Sequence, residues 1–135
     1  MNALYIIRQR SAGFTLVEIM IVVAVIALLA AIAVPNYQRA RKRGQAARIL
    51  NDLRVVDYAL DRWAIENNKS GHDSATFQDL RTYLKPGTPI YDTGVDVLGN
   101  PFGVSFQVDV GPRLSDASWN ALSDAVPIEF WSPYR

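Results

Sequence analysis

The stretch from Leu16 to Val34, LVEIMIVVAVIALLAAIAV, decides the fold: 19 residues with a single polar interruption, Glu18. As a helix rising about 1.5 Å per residue it reaches roughly 28 Å, close to the hydrocarbon thickness of a bilayer. Such a helix has no polar face. Surface binding as an amphipathic helix and burial inside so small a chain are therefore both poor alternatives to spanning.

Charge is distributed unevenly around that run. Residues 1–13 carry Arg8 and Arg10 and no acid, and residues 36–51 carry Arg39, Arg41, Lys42, Arg43 and Arg48, again with no acid. Residues 52–135 hold 7 basic and 12 acidic groups, so this part is net negative by five although the whole chain is +1. A near-neutral total gives no reason to expect a nucleic-acid binder. The 135 residues suffice for one modest domain plus an appendage, not for a multidomain enzyme. With no cysteine and one histidine, His72, the chain offers no disulfide, thiol nucleophile, His-centred triad or multi-His zinc site. No phosphate loop or nucleophile elbow is present either, so an enzyme is not expected.

Ala31-Ile32-Ala33 resembles a signal-peptidase site after an apolar run. The run exceeds an h-region of about 7–15 residues, and Glu18 sits near its start, which argues for retention of the helix.

An ionisable group in a membrane helix is there for a partner, a pathway or a return to the headgroups, and Glu18 lies near the end where headgroups are in reach. Its local string is Ser11-Ala12-Gly13-Phe14-Thr15-Leu16-Val17-Glu18. This resembles the type III signal of type IV pilins and type II secretion pseudopilins, a glycine followed by FTLxE. The basic leader, the long apolar helix and Pro35 also match that pattern. The resemblance implies cleavage between Gly13 and Phe14 by a prepilin peptidase, N-methylation of Phe14, and a role for Glu18 in assembly. It implies a single-pass protein of the bacterial inner membrane, with its head in the periplasm. Self-association into a helical filament, with minor pilins or pseudopilins and an inner-membrane assembly platform as partners, is implied as well. The positive-inside rule, comparing two basic residues before the span with five after it, points the other way. Physically, cleavage creates an α-amine at the edge of the hydrocarbon, and a neighbour's Glu18 carboxylate neutralises it. Because breaking a desolvated ion pair leaves an uncompensated charge, such a pair can set register.

Pro35 kinks or ends a helix. Continuation is expected, because Ala47, Leu50, Leu53, Val56, Leu60 and Trp63 recur three or four residues apart, as on a helix with one buried stripe. Arg48/Asp52, Arg54/Asp57 and Arg62/Glu66 are spaced as intrahelical ion pairs on its solvated side. Asp57 and Asp61 read as solvated like charges, not an acid–base pair. The cluster RARKRGQAAR faces phospholipid headgroups or acidic neighbouring heads in preference to DNA. Asn67-Asn68-Lys69-Ser70-Gly71 reads as the helix stop.

Beyond Gly71, Thr76-Phe-Gln-Asp79 is a capping box opening a short helix through Leu84, with Phe77, Leu80 and Leu84 inward. Val95–Leu98, Val104–Val110 and Val126–Trp131 suggest antiparallel strands, Pro127 restricting the last to an edge. The fold class is thus α+β: a leader at 1–13, a membrane or filament-core helix at 14–35, an amphipathic stalk helix at 36–69, and a head at 70–135. Eleven of 14 aromatics fall in residues 52–135, enough to cover the stalk's stripe. Asp96-Val-Leu-Gly-Asn-Pro-Phe102 resembles the D-P-W-G-N-P-Y stretch of major pseudopilins, lacking its first proline and its tryptophan. Members of that group bind Ca2+ in the C-terminal loop, and Ser115, Asp116 and Asp124 supply oxygens in the corresponding region. No EF-hand spacing accompanies them, and ordinary surface acids compete with that reading. The function expected is a filament subunit, of a pilus or of a type II secretion pseudopilus. The absence of a cysteine pair leans toward the latter. The alternative is a membrane-anchored binding domain, for a soluble ligand or DNA, that never polymerises.

Overall fold

The computed structural model describes residues 13–135. Arg8, Arg10 and all but the last residue of the expected leader lie outside the described residues. The chain divides into two compact units, one ending at Tyr37 and one running from Gln38 to Arg135.

Helix α1, Leu16–Glu66, is a single element of 51 residues with Pro35 inside it. Pro35 therefore does not stop it. A proline removes one i→i−4 bond, and the strong formers on either side keep the ladder going. The helix ends as a Schellman motif: Asn68 takes φ 51, Lys69 N–H donates to the Ala64 carbonyl at 2.8 Å, and Asn68 N–H donates to Ile65 at 3.4 Å. Its buried face in the head unit is Ala46, Ile49, Leu50, Leu53, Val56, Ala59, Leu60 and Ala64. Ala47 of the expected stripe is exposed and Ala46 takes its place, while Trp63 is half-buried. Only the third expected ion pair forms, Arg62–Glu66 at 3.7 Å.

The rest of the head consists of short elements. β1 (Ser74–Thr76) pairs antiparallel with β2 (Ser105–Gln107), Ala75 opposite Phe106. Helix α2 (Phe77–Arg81) opens with the expected capping box, Thr76 and Asp79 satisfying each other's backbone N–H. It stops three residues before Leu84, although Leu80 and Leu84 are both buried. Helices α3 (Pro89–Thr93) and α4 (Asp116–Leu122) follow, then a 3-10 turn, Ile128–Trp131.

Three strand expectations need correction. Val95–Leu98 supplies one isolated bridge, Val95 to Pro101, and then a turn. The alternation of Val104–Val110 survives as strand only over Ser105–Gln107, because Val104 is 83 % exposed and the chain turns at Val108. Val126–Trp131 is no strand: Ile128–Trp131 winds into a 3-10 turn that buries Trp131 fully and leaves Ile128 exposed. Trp131 joins Ile49, Leu53, Leu60, Leu80 and Leu122 in the centre of the core.

Candidate functional site

In α1 the residues from Leu16 to Tyr37 are exposed without exception. By length and composition this helix can cross a membrane: its most apolar 18-residue window has mean hydropathy 3.0 and is buried nowhere in the chain. So large an exposed apolar surface requires lipid or protein to cover it.

Glu18 stands at the head of that surface. Thr15 is the residue before the first helical turn, and its N–H and Oγ1 donate to Glu18 Oε2 at 2.9 and 2.8 Å, while Glu18 N–H donates back to Thr15 Oγ1 at 3.2 Å. Thr15-Leu-Val-Glu18 is thus a capping box, a signal visible in the sequence as T-x-x-E and overlooked there in favour of an external partner. The carboxylate also lies where the helix dipole favours negative charge. Both donors use Oε2. Gly13 and Phe14 precede the helix in irregular conformation; Phe14 is 82 % exposed, and a Cβ placed on Gly13 would meet nothing within 4 Å. The bond expected to be cut is therefore in an open, non-helical segment, the geometry a protease needs.

The basic cluster divides its work. Lys42 Nζ donates to both carboxylate oxygens of Asp124 at 2.8 Å, and Arg43 Nε donates to the Ala125 carbonyl at 3.3 Å. The Lys42 bond holds the Asp124 carboxyl below its usual range. The residues expected to offer calcium oxygens are engaged elsewhere: Asp124 by Lys42, Asp116 by Arg135 at 2.6 Å, and Ser115 as the cap of α4. Among the described residues no group of three or more His, Cys, Asp or Glu is placed to hold a metal.

Two buried polar centres escaped the sequence reading. Asp96 Oδ1 accepts the N–H groups of Leu98 and Asn100 at 2.8 and 2.9 Å, and Oδ2 accepts the Ser118 hydroxyl, which also receives the Asn100 amide at 2.9 Å. The turn at Gly99 is thereby fastened to α4. The second is Tyr134, whose hydroxyl donates to Asp57 at 3.0 Å. Burial first, then that bond, pushes the phenol up to about 12. Burial likewise lifts the Asp57 carboxyl, against the lowering by Tyr134. No spacing rule announces either centre, because the partners lie 22 and 77 residues apart.

One family model falls on the same region. Residues 8–34 match the family model described as the prokaryotic N-terminal methylation motif. The chain is 32 % identical to type II secretion system core protein G of Klebsiella michiganensis over 82 residues, 61 % of this chain and 56 % of that protein. It is 41 % identical to type IV major fimbrial protein FimA of Dichelobacter nodosus over 59 residues, 44 % of this chain and 38 % of the relative. With a fimbrial protein of Pseudomonas aeruginosa the identity is 45 % over 69 residues, 51 % of this chain and 44 % of the relative. The matches thus span about half or less of the length of these relatives. No solved structure matches the chain.

Proposed function

We propose that this chain, a member of the type IV pilin-like family, is a structural subunit of a pilus or a type II secretion pseudopilus. The observation that carries the reading is a capped, wholly exposed apolar helix that coincides with the methylation motif. It sits in the bacterial inner membrane as a single-pass protein, its head in the periplasm, until it is drawn into the fibre. A prepilin peptidase cuts between Gly13 and Phe14 and methylates the new amine. The platform protein and the minor subunits of the same machine are its further partners.

Glu18 supports the assembly step by its geometry. Oε2 holds the helix cap, and Oε1 is left to meet the Phe14 amine of a neighbouring copy. An ion pair made in that place fixes an axial stagger of about four residues, roughly 6 Å along the helix. Co-expression with a prepilin peptidase followed by mass spectrometry of the N-terminus tests the reading. Loss of residues 1–13 together with one added methyl group is expected. A chain that keeps residues 1–13 in cells with the active peptidase refutes it. Glu18→Gln and Glu18→Val are expected to be processed but not to assemble at the normal stagger; normal filaments from both would exclude the role given to the carboxylate.

A further inference from the structure

The turn that ends α1 carries a second pattern besides the helix stop. Within Glu66-Asn67-Asn68-Lys69-Ser70 stands Asn68-Lys69-Ser70, an N-x-S triplet without proline at its middle position, which is the acceptor pattern for asparagine-linked glycans. None of the other six asparagines of the chain has serine or threonine two residues later. Glu66, two residues before Asn68, adds a carboxylate that a cationic groove can grip to fix the register of the segment.

The fold presents this triplet as an acceptor must be presented. Every residue from 65 to 70 is exposed, and Asn68 lies beyond the last helical residue, Glu66, at φ 51. An amide nitrogen shares its lone pair with its carbonyl and attacks carbon only when a catalyst twists it out of conjugation, so the side chain has to be free to leave its own chain. Asn67 fails that requirement, because its amide donates to the Trp63 carbonyl at 2.8 Å. Among the described residues the Asn68 amide and the Ser70 hydroxyl make no hydrogen bond; Ser70 uses its backbone instead, its N–H donating to Asp73 Oδ2 at 3.0 Å and its carbonyl accepting from Asp73 N–H at 2.8 Å. Opening the segment locally is easy, since one of its two closing bonds, from Asn68 N–H to Ile65, is already long at 3.4 Å.

We propose that Asn68 is the acceptor of an asparagine-linked glycan, delivered from a polyprenyl diphosphate-linked oligosaccharide by a membrane-bound transferase. The bond from Asn68 Nδ2 to the anomeric carbon forms as the bond from that carbon to the diphosphate oxygen breaks. The lipid diphosphate leaves with the bonding pair, and one amide proton passes to a base of the transferase. Nothing is oxidised or reduced. The inference rests on the periplasmic placement of the head given above, because the lipid-linked donor is used on that side of the membrane.

Mass spectrometry of the protein from its own cells is expected to find one glycan, on the peptide that contains Asn68, and none in Asn68→Gln or Ser70→Ala. Ser70→Thr keeps the hydroxyl and is expected to keep the glycan. A purified bacterial oligosaccharyltransferase with its lipid-linked oligosaccharide, acting on the full chain in detergent micelles, is expected to modify the same residue, and Glu66→Gln to slow that reaction at least about tenfold. An unmodified mass in both settings, or a glycan that persists in Asn68→Gln, overturns the site and leaves the filament reading intact. Modification in micelles but not in cells is resolved by Glu129→Cys, an exposed position in a chain without cysteine, and a membrane-impermeant maleimide added to spheroplasts. A labelled head then overturns the acceptor role; an unlabelled one upholds the acceptor chemistry and removes the periplasmic placement.

Discussion

Replacing Asp96 by alanine puts the buried polar centre of the head to its hardest test. The carboxylate is 7 % exposed and receives three donors: the Leu98 and Asn100 N–H groups and the Ser118 hydroxyl. Asp96→Ala leaves all three without an acceptor. An orphaned buried donor costs about 1–3 kcal/mol, and Ser118 can turn its hydroxyl elsewhere, so the expected loss is roughly 3–5 kcal/mol. Ser118→Ala removes one donor to Asp96 and strands the Asn100 amide and the Ser115 hydroxyl, both partly solvated, for about 1–2 kcal/mol. Asp96→Asn keeps an acceptor for the two backbone groups but turns an N–H2 toward Ser118, which already accepts two bonds; it is expected to fall near Ser118→Ala. Against a typical domain stability of about 5–15 kcal/mol, the alanine variant alone approaches unfolding. Urea titration of the full chain in detergent micelles, followed by the fluorescence of Trp63, Trp119 and Trp131, measures the series with the slope as a control. If Asp96→Ala costs no more than Ser118→Ala, the turn at Gly99 is not held by this carboxylate and the reasoning fails.

Tyr134→Phe removes the donor to Asp57 and is expected to cost about 1–2 kcal/mol near neutrality. The Asp57 carboxyl is raised in the folded state, so its contribution is full below the unfolded value and is lost as pH rises through the folded one. Taking away Tyr134 raises it further, and the deficit should narrow in urea titrations at about pH 4; a deficit independent of pH contradicts the pairing. Asp124 is the opposite case, lowered by Lys42, so its stabilisation is present above the unfolded value and lost as pH falls through the folded one. Lys42→Met should flatten acid unfolding curves and, because the pair is exposed, the difference from wild type should shrink in about 1 M salt. Millimolar calcium is expected to leave the melting temperature unmoved; a rise abolished by Asp116→Ala or Asp124→Ala would show that these oxygens leave Arg135 and Lys42 for the ion.

Helix α1 is legible in the residues because its signals are long: 16 apolar positions in a row from Ile19 to Val34, then a stripe recurring through many turns. The head's elements run three to seven residues, too short for periodicity to separate helix from strand. Their signals are instead single residues at boundaries. Thr88 and Pro89 open α3 and Gly94, at φ 66, closes it; Ser115 opens α4. Read as loop composition, those same residues conceal the helices they start. β1 has no strand signal of its own, since Ser-Ala-Thr is extended only by the ladder to β2. Two of the three expected ion pairs of α1 fail for a related reason: Tyr134, far along the chain, takes Asp57, and residues beyond the helix partly desolvate Asp52, neither of which spacing on a helix can encode.

The box formed by Thr15 and Glu18 shows how a local signal and a distant partner coexist in one residue. A membrane helix needs its first N–H groups satisfied before any neighbour arrives, and Thr15 with Glu18 does so within the single chain. Only Oε2 is used for this, so a second donor at Oε1 requires no bond to break first. A carboxylate already held by two donors is also fixed in direction, which lowers the ordering entropy of meeting an incoming amine. Thr15→Val should therefore impair assembly while cleavage after Gly13 continues, since it removes one of the two donors that fix the direction of the Glu18 side chain without removing its charge. Assembly of Thr15→Val at wild-type yield would mean that the cap and the contact are independent.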